Sequence, residues 1–190
     1  NTMDAIFLAL NTKYIDGVEI DIRLTKDKKI VVIHDKTINR TSNGIGYVKN
    51  MTYQELRKYN FGDDENYQLI PSLLEVLSIY KNNKILLIEV KSNKEYIYML
   101  EILTNLLKQY ETNKIYVGSF SPFFIKKIKQ FYLPIKLGVF ISNELELKNI
   151  NLPIDFVGLH YSLIDKMLAT NLINKNIEIS PDIVYYKNSN

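Results

Sequence analysis

Two acidic residues occupy alternate positions of a short apolar segment, Val18-Glu19-Ile20-Asp21-Ile22. Successive side chains of a β-strand point to opposite faces, so Glu19 and Asp21 would share one face of such a strand. Two carboxylates held together away from water repel each other unless a positive charge lies between them. The segment therefore predicts either a divalent-cation site or a strand whose acidic face meets solvent, and both interpretations stay open at this point.

A second charged pair stands at the end of the apolar segment Ile85–Val90, with Glu89 inside it and Lys91 directly after it. These two side chains would again share one face. Charges in a buried strand are costly unless they are paired or bound to a metal. Active sites of parallel barrels lie at the C-terminal ends of their strands, so the pair is a candidate for such a site. A plain ion pair at a strand edge is the alternative.

A histidine follows the apolar segment Ile30–Ile33. His34 could reach a site above the end of the sheet, and imidazole is the side chain best suited to exchanging protons near neutral pH. The adjacent Asp35 would either orient the imidazole ring or cap the turn. His160 also follows a predicted strand and could face the same end, although a lone histidine is more often structural.

The composition limits the kind of metal that these residues could bind. The chain has no cysteine and only two histidines, so a bound metal would be held mainly by oxygen atoms, which favours a hard cation. The net charge of +3 is too small to indicate nucleic-acid binding. No apolar run reaches the roughly 18 residues of a membrane span. No signal peptide is visible, and the compartment stays unassigned, with a cytoplasmic location weakly favoured.

The segments that carry these residues alternate between strand and helix patterns. Short apolar strands separated by helices imply parallel βαβ units, and we expect one α/β domain over residues 1–190. A barrel of eight strands needs about 250 residues, so this chain would be short by about one unit at either end. The predicted strands are Val18–Leu24, Ile30–Ile33, Ile85–Val90, Ile115–Phe120, Ile135–Ile141, Phe156–Leu159 and Ile177–Ile179; the predicted helices are Thr2–Thr12, Thr52–Lys58, Pro71–Tyr80, Lys94–Tyr110, Pro122–Phe131 and Leu163–Asn174.

Glu-x-Asp, then His-Asp, then Glu-x-Lys on a later strand form a far more specific pattern than any of the three alone. With its flanking residues, the chain closely resembles the glycerophosphodiester phosphodiesterases. The resemblance is strong over residues 1 to 122 and continues, more weakly, to about residue 180. It rests on Gly17–Asp21, Leu24–Asp27, Val31–Asp35, Ile38–Thr41, Gly46–Val48, Ile70–Leu77, Ile88–Lys91 and Ser119-Phe120.

The resemblance implies a (β/α)8 TIM-type barrel that binds a divalent metal, Ca²⁺ or Mg²⁺. The positions that ligate the metal in this family match Glu19, Asp21 and Glu89. His34 matches an acid/base group, and Lys91 matches a residue that helps bind the phosphate. The implied activity is hydrolysis of small-molecule glycerophosphodiesters to glycerol 3-phosphate and an alcohol.

Some segments of the family pattern are not present in these 190 residues. The family carries His-Arg-Gly before its Asn-Thr, and that segment supplies a second acid/base histidine and a phosphate-binding arginine. Its Trp-Thr and its last strand, with Gly-x-Asp-Gly, are also not found. We therefore expect a barrel that lacks its first and last strands and has little activity as these 190 residues alone. The alternatives are a non-catalytic metal- or phosphate-binding barrel and a related phospholipase-type phosphodiesterase.

Overall fold

The computed structural model describes residues 1–91, 96–143, 153–159, 163 and 177–181. The strands within these ranges are β1 (Gly17–Leu24), β2 (Ile30–Val32), β3 (Ile85–Val90), β4 (Ile115–Ser119), β5 (Lys136–Ile141), β6 (Phe156–Leu159) and β7 (Glu178–Pro181). They form one seven-stranded sheet in the order β2-β1-β3-β4-β5-β6-β7. The predicted strands are confirmed to within two residues at each end.

The sheet is parallel apart from its first strand. β2 follows β1 by a tight turn and pairs with it antiparallel, whereas β1 with β3 and every later pair of neighbours run parallel. Parallel neighbours need a crossover connection, and helices supply it between β3 and β4 and between β4 and β5. The C-terminal ends of the parallel strands therefore lie at one edge of the sheet, where the predicted site residues stand.

Five α-helices lie within the described residues, and two of them begin with a capping box. Thr52 and Ser72 each accept a hydrogen bond from a backbone amide three residues on, while the glutamate at that position bonds back. Pro71 was predicted to open a helix, but the helix begins after Ser72, because the Pro71 carbonyl accepts the Val32 amide of β2. The helices are α1 (Met3–Asn11), α2 (Tyr53–Leu56), α3 (Leu73–Ile79), α4 (Tyr96–Leu107) and α5 (Pro122–Ile128).

The main core lies between the sheet and its helices. Ile20 and Ile88, on the face of the sheet that carries no acids, are fully buried and pack with apolar residues such as Leu103 of α4. A smaller core forms under the segment between β2 and α3, around Ile38 and Leu56. The chain thus buries the apolar face of β1 and leaves Glu19, Asp21 and their neighbours on the other face.

Aromatic rings fill part of that other face. The Phe140 ring of β5 stands 6.3 Å from the Phe156 ring of β6, measured between centroids. Gly138 and Gly158 make room for the two rings, because a Cβ atom at either position would overlap one of them. The rings of Phe140 and Phe156 therefore fill the space on this face of β5 and β6, as side chains fill the interior of a barrel.

No helix within the described residues is long and apolar enough to cross a membrane. The predicted helix Leu163–Asn174 and His160 lie outside the part of the chain that the structure describes, apart from Leu163 itself.

Candidate active site

Three carboxylates converge where β1 pairs with β3. Asp21 and Glu89 are direct partners in the parallel register of the two strands, so their side chains leave the sheet on the same face. Glu19 lies two residues before Asp21 and shares that face. One oxygen from each of the three residues lies within 4.8 Å of the others. The predicted convergence of Glu19, Asp21 and Glu89 is confirmed, while their role as metal ligands stays a prediction.

The burial of these acids is what makes their charge significant. Asp21 is fully buried, and Glu89 is only 6% exposed. Burial, together with the charges of Asp21 and Glu89, raises the pKa of Glu19 from 4.5 to about 8. Close buried carboxylates resist ionising together unless a cation joins them. The donor set is all oxygen, which is the set that hard divalent cations prefer, so these residues fit such an ion.

Lys91 contributes a positive charge to this cluster. Its Nζ atom lies 2.9 Å from Oδ1 of Asp21 and 2.5 Å from Oε1 of Glu89. Burial by itself would lower the pKa of Lys91, but hydrogen bonds to the two carboxylates outweigh it and raise the pKa. The pairing of Glu89 with Lys91 that the sequence suggested is present, and Asp21 joins it as a second partner.

Asn1 holds the buried carboxylate of Asp21 from another side. Its side-chain amide donates to Oδ2 of Asp21 over 2.8 Å, and its side-chain oxygen accepts the Asp21 backbone amide over 3.0 Å. The pair of bonds fixes the rotamer of Asp21, which leaves its other oxygen directed at Lys91.

The imidazole ring of His34 is held by Asp35, which is itself held by Arg40. Nδ1 of the imidazole lies 2.7 Å from Oδ1 of Asp35. Asp35 accepts two hydrogen bonds from the Arg40 guanidinium, from Nε at 2.8 Å and from Nη2 at 2.9 Å. Arg40, and to a smaller extent His34, hold the pKa of Asp35 far below its ordinary value. An ionised Asp35 favours the ring tautomer with hydrogen on Nδ1, which makes Nε2 the basic nitrogen of the ring.

A backbone hydrogen bond attaches the residue before His34 to the strand of Glu19 and Asp21. The Ile33 amide donates to the Asp21 carbonyl over 2.8 Å, which extends the pairing of β1 and β2 by one residue. The ring adjoins a cavity of about 270 Å³ at this end of the sheet. The cavity is lined by Asn1, Thr2, Val32, Ile33, His34, Arg40, Thr41 and Phe61.

Arg23 is a further residue of the site that the sequence interpretation missed. It follows Glu19 and Asp21 at the next alternate position of β1, and its side chain is half-buried. Burial lowers the pKa of its guanidinium, and the charges of nearby carboxylates, Asp21 first among them, oppose that shift. The extension of the Glu-x-Asp alternation by one step, to Glu-x-Asp-x-Arg, is the signal that could have identified it.

Comparison with known proteins decides which family this arrangement belongs to. Residues 1–178 match the model of the glycerophosphoryl diester phosphodiesterase family. The chain belongs to this family. It is 35% identical to the glycerophosphodiester phosphodiesterase of Caldanaerobacter subterraneus over 131 residues, 65% of this chain and 54% of that protein. It is 31% identical to YhdW of Bacillus subtilis over 188 residues, 93% of this chain and 76% of YhdW.

Solved structures of the family share the fold. A phosphodiesterase from Oleispira antarctica, in complex with the product sn-glycerol-3-phosphate, superposes with a TM-score of 0.85 at 22% identity. That match covers 97% of this chain and 78% of the other. The glycerophosphodiester phosphodiesterase of Thermotoga maritima gives 0.76 at 23% identity, over 97% of this chain and 80% of that one. The predicted TIM-type barrel fold is thereby confirmed. The matched region is about half of the Caldanaerobacter protein.

Proposed function

We propose that this domain hydrolyses glycerophosphodiesters to glycerol 3-phosphate and an alcohol, using a divalent cation held by Glu19, Asp21 and Glu89. The observation that carries the proposal is the approach of one oxygen from each of these three carboxylates to within 4.8 Å of the others, on one face of two adjacent strands. The family of the chain and the product bound in the Oleispira structure support the same substrate class.

The cation would be Ca²⁺ or Mg²⁺, because all three donors are carboxylates. When bound, such an ion supplies positive charge against the phosphoryl oxygens and the charge that develops on them. Lys91 already contacts Asp21 and Glu89, so it lies at the same place as the cation would. We propose that its ammonium contacts a phosphoryl oxygen of the substrate once the cation neutralises the two carboxylates.

His34 is the proposed proton donor to the departing alcohol. Its Nδ1 atom faces Asp35, so the proton would be held at Nε2 and transferred from there to the leaving oxygen. Asp35 keeps the ring in one orientation and stabilises the imidazolium form before the transfer. The cavity beside His34 would receive the alcohol, since the leaving oxygen has to lie within hydrogen-bond reach of Nε2.

The second proton transfer of the hydrolysis, from the attacking nucleophile, needs another acid/base group. The family assigns it to the histidine of His-Arg-Gly, which the 190 residues do not include. We therefore propose that the 190 residues alone turn over at least about 10²-fold more slowly than a version with that segment placed before Asn1.

The test combines metal binding with turnover. Calorimetric titration of the 190-residue chain with Ca²⁺ and Mg²⁺ should show one site per chain, and that site should disappear in Asp21→Asn and Glu89→Gln. Release of glycerol 3-phosphate from glycerophosphocholine should be measured with the 190 residues and with the extended version. No cation binding, or equal binding by the variants, would contradict the metal site. Binding without turnover in either version would favour a non-catalytic barrel, and equal turnover in both would contradict the assignment of the second histidine.

A further inference from the structure

We infer that Arg23 is a positioning residue that fixes His34 relative to β1, the strand that carries Glu19 and Asp21; the inference rests on the proposed function in taking His34 as the proton donor. Both Nε and Nη2 of Arg23 donate to the backbone carbonyl of His34, over 2.8 Å and 2.6 Å. Two donors of the guanidinium thus bind the same carbonyl oxygen. Hydrogen bonds from a charged donor are shorter and about twice as strong as neutral ones.

The carbonyl that Arg23 holds belongs to the peptide plane between His34 and Asp35. Rotation of this plane would move the imidazole ring and its carboxylate partner relative to each other, and the 2.7 Å contact between Nδ1 and Asp35 would be lost. The two hydrogen bonds from Arg23 therefore fix the positions of both His34 and Asp35.

The peptide plane between His34 and Asp35 lies beyond the end of β2. That strand ends at Val32, and the next residue, Ile33, donates its amide to the Asp21 carbonyl. At His34 the chain has left the sheet, and the Arg23 side chain, two positions after Asp21, continues the attachment to β1. Because Arg23 and the two acids share one strand, the attachment relates the position of His34 to that of Glu19 and Asp21.

The surroundings of Arg23 hold its guanidinium in place. The side chain is half-buried on the acidic face of β1, where it feels the charges of Asp21, Asp35 and Glu89. A lysine could keep the charge at this position. It could not reproduce the planar fork that places two donors on one carbonyl oxygen.

The test uses Arg23→Gln and Arg23→Lys, with Arg57→Gln as the matched control. Arg57 is also a partly buried arginine that holds other side chains, Tyr53 and Glu75, but it does so between α2 and α3. The first readout is the ring ¹⁵N shifts of the 190-residue chain at a pH where imidazole is neutral. The chain has only two histidines, so His160 is an internal reference, and a His160→Gln spectrum assigns the signals.

We expect His34 to show the Nδ1–H tautomer in the wild type and in Arg57→Gln, and a mixture in both Arg23 variants. In the version of the protein that turns over, kcat should fall about 10²-fold in both Arg23 variants, with KM changed less than about threefold. An unchanged tautomer of His34 would overturn the inference. So would a rise in KM that Arg23→Lys restores, because that pattern belongs to a phosphate contact. The tautomer measurement needs no turnover, so it decides this point even if the proposed activity is not found.

Discussion

At the scale of single residues, Lys91 places a positive charge against two of the three carboxylates of the site. Its Nζ atom contacts both Asp21 and Glu89, which are almost completely buried. Removing one partner of a buried ion pair leaves uncompensated charge, which is more costly than the pair itself. The same ammonium also opposes a cation, because two positive charges would compete for the same oxygens.

We therefore expect Lys91→Met to destabilise the metal-free protein by about 3 kcal/mol in denaturant unfolding near neutral pH. A divalent cation should restore most of that loss, because it supplies the missing charge, and its affinity should be higher than in the wild type. The control is Lys126→Met, which removes an exposed lysine of α5 and should change neither quantity by more than about 0.5 kcal/mol. A variant that is destabilised equally with and without the cation would contradict this account.

Glu19 makes the stability of the metal-free protein depend on pH. Burial and the neighbouring acids raise its pKa from 4.5 to about 8, so between these values the folded state holds a proton that the unfolded state has released. The contribution of this carboxyl to the free energy of unfolding is complete below about pH 4.5 and is lost as the pH rises to about 8. Its slope is at most about 1.4 kcal/mol per pH unit.

Unfolding free energies measured with a chelator should thus decrease from about pH 5 to pH 8, and Glu19→Gln should reduce the decrease. Saturating Ca²⁺ or Mg²⁺ should reduce it as well, because an ionised Glu19 would then face a cation. A wild-type profile parallel to that of Glu19→Gln would show that Glu19 ionises normally in the folded protein.

At the scale of elements, α3 is tied to its surroundings by one glutamate. Glu75 closes the capping box with Ser72, and its carboxylate also accepts hydrogen bonds from Tyr53 and Arg57 of the preceding helix region. The carbonyl of Pro71, just before the cap, bonds to β2. The start of α3 therefore joins the strand that leads to His34 with the segment that packs over it.

Ser72→Ala should lower the unfolding free energy by about 1–2 kcal/mol, since it removes the acceptor for the Glu75 amide. Ser78→Ala, near the end of the same helix, removes an exposed hydroxyl bonded to the Glu75 carbonyl and should cost less than about 0.5 kcal/mol. Chemical denaturation of both variants makes the comparison. Equal losses would mean that the cap does not determine where α3 starts.

The faces of the strands and the starts of the helices could largely be predicted from the sequence, because both depend on local periodicity and spacing. Alternation on β1 was enough to place Glu19 and Asp21 on one face, and the capping box at Thr52 was visible as residue types at fixed spacing. The contact of Lys91 with Asp21 and the hydrogen bonds from Arg23 to the His34 carbonyl could not be predicted from the sequence. Both join residues that periodicity treats separately, and both depend on strand register and side-chain rotamers.

At the scale of the whole molecule, the site links parts of the chain that are distant in sequence. Asp21 and Glu89 face each other across β1 and β3, whereas the later strands pair with their immediate successors. Between β1 and β3 the chain forms β2, α2 and α3 and buries the smaller core around Ile38 and Leu56. A cation at the site would therefore stabilise the pairing of β1 with β3, on which the rest of the sheet continues.

Ca²⁺ or Mg²⁺ at about 100 times its dissociation constant should raise the unfolding free energy by about 2.7 kcal/mol, because it binds the folded state alone. The gain should be seen in thermal unfolding as a rise in Tm that grows with cation concentration. Asp21→Asn should show no such rise. A rise of equal size in that variant would place the stabilising cation elsewhere on the molecule.

The register of Asp21 with Glu89 also sets a time order for the site during synthesis. The two residues are 68 positions apart, so at about 5–20 residues per second the first two carboxylates are made roughly 3–14 s before the third. Turn-linked β1 and β2 can pair within that interval, but Asp21 cannot meet its partner Glu89 until β3 has emerged. No nascent chain that ends before Glu89 contains the complete ligand set, so the cation can act only after β3 has docked on β1.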